Sequence, residues 1–313
     1  MHQILLENTA FEGRNAVYLL QGEGPTTLVD VGVSTPETRA ALESAIAEFD
    51  VALRDIDQLV LTHWHQDHVG LSGEIQAESD ATVYVHEADA PLVAQDEGAV
   101  EAYESREAEL WAEWGMPAEK RRELVEFMEL HEEIAGDPVD VTPISEGDRI
   151  EAGDLTLEVD HLPGHAAGLS GFVFEREARR EAFVGDAILP KYTPNVGGAD
   201  VRVDRPLASY LDSLDRIVSL DLDRAWPGHR GCISNPSGRA RDIADHHAER
   251  EERVVETLED HGPATPWEVS AALFGDLHAI HIMHGPGEAF AHLDHLVHED
   301  ELVKHADGRY DLA

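Results

Sequence analysis

Short apolar runs closed by turn residues dominate the first third of the chain. Val17-Tyr18-Leu19-Leu20 and Thr27-Leu28-Val29-Asp30 are apolar and β-branched, and Gly22-Glu23-Gly24-Pro25 between them predicts a hairpin. Thr35-Pro36-Glu37-Thr38 opens a helix: the threonine caps it, the proline suits its first turn, and Leu42, Ile46 and Phe49 follow at helical spacing. Gln58-Leu59-Val60-Leu61-Thr62 reads as a buried strand running straight into His63, and Thr82-Val83-Tyr84-Val85 as another.

Between about 99 and 136 the pattern changes to an acid-rich stretch with Trp111, Trp114, Leu124, Phe127, Met128 and His131 at helical spacings. It predicts a helical insertion whose aromatic side chains pack as core, with the walling of a substrate pocket as the second reading. After Gly136-Asp137-Pro138 the strand pattern resumes at 155–159, 171–174 and 182–184. Strands alternating with helices, then repeating more loosely, suit an α/β fold of two sheets covered by helices. From Asn235-Pro236-Ser237-Gly238 onward the chain turns helical. One helix covers 252–259, a second follows the capping box Thr265-Pro266-Trp267-Glu268 to about Phe274, and a third spans about 288–297. A hairpin at 302–304 and 310–312, turning at Asp307-Gly308, completes a winged-helix pattern. The expected division is a catalytic domain over 1–235 and a winged-helix-like domain over 236–313.

Composition narrows the setting. Cys232 is the only cysteine, which excludes an intrachain disulfide and any cysteine cluster for metal. There is no long uninterrupted apolar run and no basic leader at Met1-His2-Gln3-Ile4, so neither a membrane span nor a signal peptide is expected, and the expected location is cytoplasmic. The net charge is −41, and lysine stands only at Lys120, Lys191 and Lys304. Such a surface suits a halophilic setting, where molar salt shortens the Debye length to ~3 Å and removes self-repulsion.

Five groups that can carry chemistry occur at strand ends. His63-Trp64-His65-Gln66-Asp67-His68 packs three imidazoles and a carboxylate into six residues after a hydrophobic strand. Alternate residues of an extended segment share a side, so His63 and His65 point together, while a turn into a helix redirects Asp67 and His68. Pro163-Gly164-His165 and Trp226-Pro227-Gly228-His229 present single histidines on tight turns; Val184-Gly185-Asp186 ends a strand in a carboxylate; Leu28-Val29-Asp30 ends another. Histidine is abundant, 19 in all, so the joint order is the signal rather than any one match.

In that order these motifs resemble the metallo-β-lactamase superfamily over about residues 10–235, with the αββα sandwich fold that the resemblance implies. By that resemblance His63, His65 and His165 would bind one metal, Asp67, His68 and His229 a second, Asp186 would bridge, and Asp30 would support them from beneath. Two zinc ions are implied, with iron and manganese suited to the same donors. A hydroxide shared by the two metals would attack a carbonyl or phosphoryl centre, with Asp67 orienting it. The C-terminal part, Asp186-Ala187-Ile188-Leu189-Pro190 and His246-His247-Ala248-Glu249-Arg250 resemble the β-lactamase-like 2 branch, which includes endoribonucleases and thioester hydrolases.

The expected function is therefore a dinuclear zinc-dependent hydrolase acting on a small ester or thioester, similar to hydroxyacylglutathione and acyl-CoA hydrolases. A metal-dependent endoribonuclease acting on single-stranded RNA is the alternative, disfavoured because phosphate contacts need Lys and Arg and the C-terminal region is rich in acids. Lys191 and Tyr192, just after Asp186, are candidates for binding substrate. A small-molecule substrate and a second copy of the chain are the expected partners. The histidines at 278, 281, 284, 292, 295 and 298 recur every third residue around a Gly-Pro break, with no carboxylate pattern to suggest a further metal site.

Overall fold

A computed structural model describes residues 1–7, 13–130 and 132–313. His131, named above with the insertion, lies outside the described residues. Strands β1 (His2–Leu6), β2 (Asn15–Leu20) and β3 (Thr27–Val29) pair antiparallel in sequence. Helix α1 (Pro36–Ala47) leads to β4 (Gln58–Val60), α2 (Gln66–Val69), α3 (Ser72–Ser79) and β5 (Thr82–His86). Three helices, α4 (Ala90–Val93), α5 (Glu97–Glu113) and α6 (Ala118–Glu129), precede β6 (Val141–Ile144). From β3 to β6 the pairing is parallel, and the six strands form one sheet in sequence order.

The second sheet holds β7 (Arg149–Ala152), β8 (Leu155–His161), β9 (Ser170–Arg176) and β10 (Arg179–Gly185) as an antiparallel meander. Helix α7 (Pro206–Ser219) then crosses over so that β11 (Arg224–Pro227) joins β10 in parallel. Period-two alternation explains the layering. Tyr18 and Leu20 belong to the cluster between the sheets, with Phe172 and Phe183, whereas Leu19 between them packs outward with Leu42 and Ile46 of α1. On the far side, Ala182 and Val184 of β10 pack against Leu207, Tyr210 and Leu214 of α7. The order of layers is helix, sheet, sheet, helix, an α/β architecture.

Helix α1 starts as the sequence predicts: Thr35 accepts from the Thr38 amide, and Pro36 occupies the first turn. Further on, α8 (Pro236–His261), α9 (Pro266–Phe274), α10 (His281–His298), β12 (Leu302–Lys304) and β13 (Tyr310–Leu312) follow. Thr265 and Glu268 form the reciprocal cap expected of α9. Two helices differ from expectation. Helix α8 begins at Pro236, not near 252, because Asn235 caps it and Ala240, Ile243 and His247 bury a narrow stripe on an otherwise charged segment. Helix α10 runs through Gly285-Pro286-Gly287 instead of breaking there. Pro286 falls early in the helix, and the glycines admit neighbours: Gly287 lies against the backbone of Gly198, and Gly285 against Ser270 and Leu277.

The insertion packs as core and also borders a cleft. Trp111, Trp114 and Leu124 pack with Ile282 and Met283 of the C-terminal segment, while Phe127 and Met128 face a cleft of 1320 Å³. Among the described residues no helix is long and apolar enough to cross a membrane.

Candidate metal centre

Parallel pairing carries the ends of β3 and β4, and of β10 and β11, to one edge of the sandwich. Asp30, His63, Asp186 and His229 each lie just beyond one of these strands, and His165 lies in the loop after β8. Backbone hydrogen bonds knit the loops: Val31 N to His68 O at 2.8 Å, Ser170 N to Thr62 O at 2.9 Å and Gly228 N to Gly185 O at 2.8 Å. Gly228 is needed at its position, since a Cβ there would stand 2.5 Å from both Asp186 Oδ1 and His68 Cε1.

The structure brings all seven predicted side chains together. His65 Nδ1 lies 2.9 Å from His63 Nε2 and 3.0 Å from His165 Nε2. On the other side, His229 Nε2 is 3.3 Å from both Asp67 Oδ2 and Asp186 Oδ2, and His68 Nε2 is 3.7 Å from Asp67 Oδ1 and Asp186 Oδ1. Asp186 reaches both sets, with Oδ2 3.7 Å from His165 Nε2.

The outer nitrogens fix the tautomers. His165 Nδ1 donates to Asn195 O at 2.8 Å and His65 Nε2 to Ala199 O at 3.0 Å. Thr62 Oγ1 donates to Asp30 Oδ2 at 2.9 Å, so it accepts from His63 Nδ1 at 3.0 Å. Each of the three rings therefore turns a bare lone pair toward the same point, an arrangement that repels itself unless a cation sits there. Burial and neighbouring rings agree: burial and then His68 hold His63 well below the usual imidazole range, and burial and then His165 bring His65 to about 3.

The second set is a nest of negative charge. His68 donates through Nδ1 to Asp30 Oδ2 at 2.8 Å, leaving Nε2 buried without a hydrogen-bond partner between two carboxylates. Burial opposes charge on His68, but Asp67, Asp186 and Asp30 outweigh it and raise the ring to about 10, so the site calls for a positive charge. Asp186 is held well below the carboxylate range: burial pushes it up, and His229 and His68 pull it further down. Imidazoles and carboxylates in this ratio fit divalent cations.

Three contributions were not readable beforehand. Asn15 Nδ2 donates to Asp67 Oδ2 at 3.1 Å, although it opens a strand 52 residues away. Asn195 carries His165 on its carbonyl and donates its amide to Glu288 Oε2 at 3.0 Å, tying the centre to α10. Asp89 and Asp200 clamp the loops: Asp89 accepts from Trp64 N and Gly168 N, Asp200 from Trp64 Nε1 and Ala167 N, and Arg202 bridges the two acids. Lys191 and Tyr192 stand outside the lining of the cleft onto which His65, Asp67, His165, Asp186 and His229 open. They line a neighbouring pocket, Lys191 Nζ lying 4.7 Å above the Tyr192 ring. Of the periodic histidines, His292 meets His247 at 3.2 Å beside Glu288, but Arg250 already neutralises that carboxylate.

The family described as "Metallo-beta-lactamase superfamily" matches residues 11–229 of the chain. The chain is 30% identical over 302 residues to "Probable metallo-hydrolase YqjP" of Bacillus subtilis (strain 168), spanning 93% of this chain and 90% of that one. It is 24% identical over 258 residues to "Atrochrysone carboxyl ACP thioesterase" of Aspergillus fumigatus, spanning 81% of this chain and 47% of that one. A solved structure, the metallo-beta-lactamase family protein TTHA1429 from Thermus thermophilus, superposes with a TM-score of 0.85 at 31% identity, covering 100% of this chain and 98% of that one.

Proposed function

Since the chain belongs to the metallo-beta-lactamase superfamily and is a metal-dependent hydrolase, we propose that its seven converging side chains hold two zinc ions and that it hydrolyses a thioester or small ester. His63, His65 and His165 would hold one ion and Asp67, His68 and His229 the other, with Asp186 within reach of both sets. What carries this reading is the convergence of three imidazole lone pairs whose outer N–H groups are already committed. Bound divalent cations supply a water acidic enough to act as nucleophile near neutral pH, and charge to steady the oxyanion that develops.

The chain's own residues do the rest. Asp67, steadied by Asn15, orients the attacking water. Asp30 fixes His68, and the Asp89–Arg202–Asp200 clamp fixes Trp64 between His63 and His65. Apolar groups of the cleft, among them Phe127, Met128 and Leu277, receive the acyl part and exclude water from it. In the reaction a C–O bond forms from water and the C–S bond breaks. The products are a carboxylate and a thiol, with one proton going to sulfur and one to solvent. The thioesterase name of one relative supports the thioester over other acyl derivatives.

Zinc-loaded protein assayed against an acyl-thioester panel and single-stranded RNA tests this. The expected result is thioester turnover that His68→Ala abolishes. RNA cleavage lost in His68→Ala, with no thioester turnover, would reverse the assignment.

A further inference from the structure

Beside the catalytic cleft is a second pocket of 820 Å³, and its chemistry is opposite to that of the chain as a whole. A protein of net charge −41 lines it with the basic side chains of Lys191, Arg230, Arg239 and Arg250, and among the described residues one carboxylate, Asp242, faces it. One of the three lysines in the chain stands here. The two cavities share a wall, since Thr193, Arg250 and His281 line both. Resting on the hydrolase reading above, we propose that this pocket holds an anionic tail of the substrate, a phosphate ester or a carboxylate, while the scissile carbonyl lies at the metal centre.

Two of these cations, Arg239 and Lys191, are held in place without being neutralised. Arg239 donates through Nε to Leu189 O at 2.6 Å and through Nη2 to Tyr192 O at 2.8 Å, which pins it and the 189–192 loop to each other. Neither Arg239 nor Lys191 forms an ion pair among the described residues. Lys191 and Arg230 both sit over the Tyr192 ring, 4.7 and 5.1 Å from its centroid. Arg250 is anchored by Glu288 at 2.5 Å and keeps a buried Nε without a hydrogen-bond partner. Guanidinium and ammonium groups fixed in this way bind an oxyanion without first losing side-chain freedom.

Polarity along the cleft selects the shape of the substrate. The wall supplied by the insertion carries Glu97, Glu101 and Glu104 alongside Val100, Phe127 and Met128. A polyanion running the length of the cleft meets those carboxylates. A molecule with an apolar acyl group on one side of the reacting bond and a single anionic tail on the other meets favourable surfaces at both ends.

Three thioesters with one acyl group, whose thiol parts end in a neutral amide, a carboxylate or a phosphate monoester, test this on the zinc-loaded enzyme. The proposal predicts that at least one anionic tail raises kcat/KM by about 10-fold or more over the neutral one, through KM. The Lys191→Ala variant should shrink that ratio toward one and Lys191→Arg should restore it, the carboxylate and phosphate arms separating the two kinds of tail. Equal kcat/KM for all three tails, or a Lys191→Ala loss that falls alike on all three, would overturn the pocket assignment. Calorimetric binding of the three free thiols to wild type and Lys191→Ala makes the same comparison without turnover. Affinity independent of tail charge sinks the pocket even if hydrolysis occurs, and tail-dependent affinity supports it even if the thioester reading fails.

Discussion

Asp30 shows how much one carboxylate outside the seven can control. With φ at 54° it turns the chain at the end of β3, accepts from Thr62 N at 2.8 Å and holds His68 Nδ1. Replacing it by asparagine keeps the shape but removes the charge that orients His68. Asp30→Asn is therefore expected to lower metal affinity by about 10- to 100-fold with the fold retained, read by titration against a competing chelator; unchanged affinity would contradict the supporting role. Glu107 gives a prediction of another kind. Burial raises it to about 8, against the Tyr103 hydrogen bond that pulls it down, while the unfolded chain keeps the ordinary value of 4.5. Between those values the native state holds a proton that the unfolded state has lost, so stability falls as pH rises through that window. In Glu107→Gln this loss disappears, and its Tm should gain on wild type between pH 5 and pH 8. Parallel Tm profiles would argue against a buried, protonated Glu107.

Elements were legible wherever one local signal decided them. Strand ends leading into His63 and Asp186, the Thr35 and Thr265 caps and the closing hairpin follow from alternation and turn chemistry. Helix α8 was underread because its first half buries only a thin stripe, and α10 because Gly285-Pro286-Gly287 carries every local mark of a break. Tertiary packing overrules those marks: α10 needs Gly287 to approach the 197–198 loop and Gly285 to approach Ser270 and Leu277. Gly287→Ala sets two effects against each other. Helix propensity favours alanine by about 1 kcal/mol, whereas overpacking costs about 1–3 kcal/mol. The obstructing atoms belong to the backbone of Gly198 and Gly197, which cannot swing aside, so overpacking wins. Thermal denaturation of Gly287→Ala should show a lower Tm, and a raised Tm would mean that the approach is not tight. Asn15 and the basic pocket were out of reach of the sequence for a related reason, since Lys191, Arg230, Arg239 and Arg250 meet only after α8 folds back along the 189–192 loop.

At the scale of the whole molecule, charge and metal govern the behaviour. Sixty-four acidic residues against 23 basic ones leave ion pairing local, as where Arg39 alone serves Glu43, Glu74 and Glu78. Surplus carboxylates repel one another in dilute buffer and are screened in concentrated salt. Near-UV circular dichroism is expected to be lost on dialysis into dilute buffer and regained at molar salt; a full spectrum in dilute buffer would contradict a salt-dependent fold.

Within that charged shell, loops from both sheets converge on one centre, and its occupancy can be read directly. Elemental analysis of intact protein prepared without chelator should find two transition-metal ions per chain, with Asp186→Ala and His65→Ala each losing one or both together with activity. An intact preparation that contains no transition metal and gains nothing from its addition, or variants that keep their full metal content, would contradict the account.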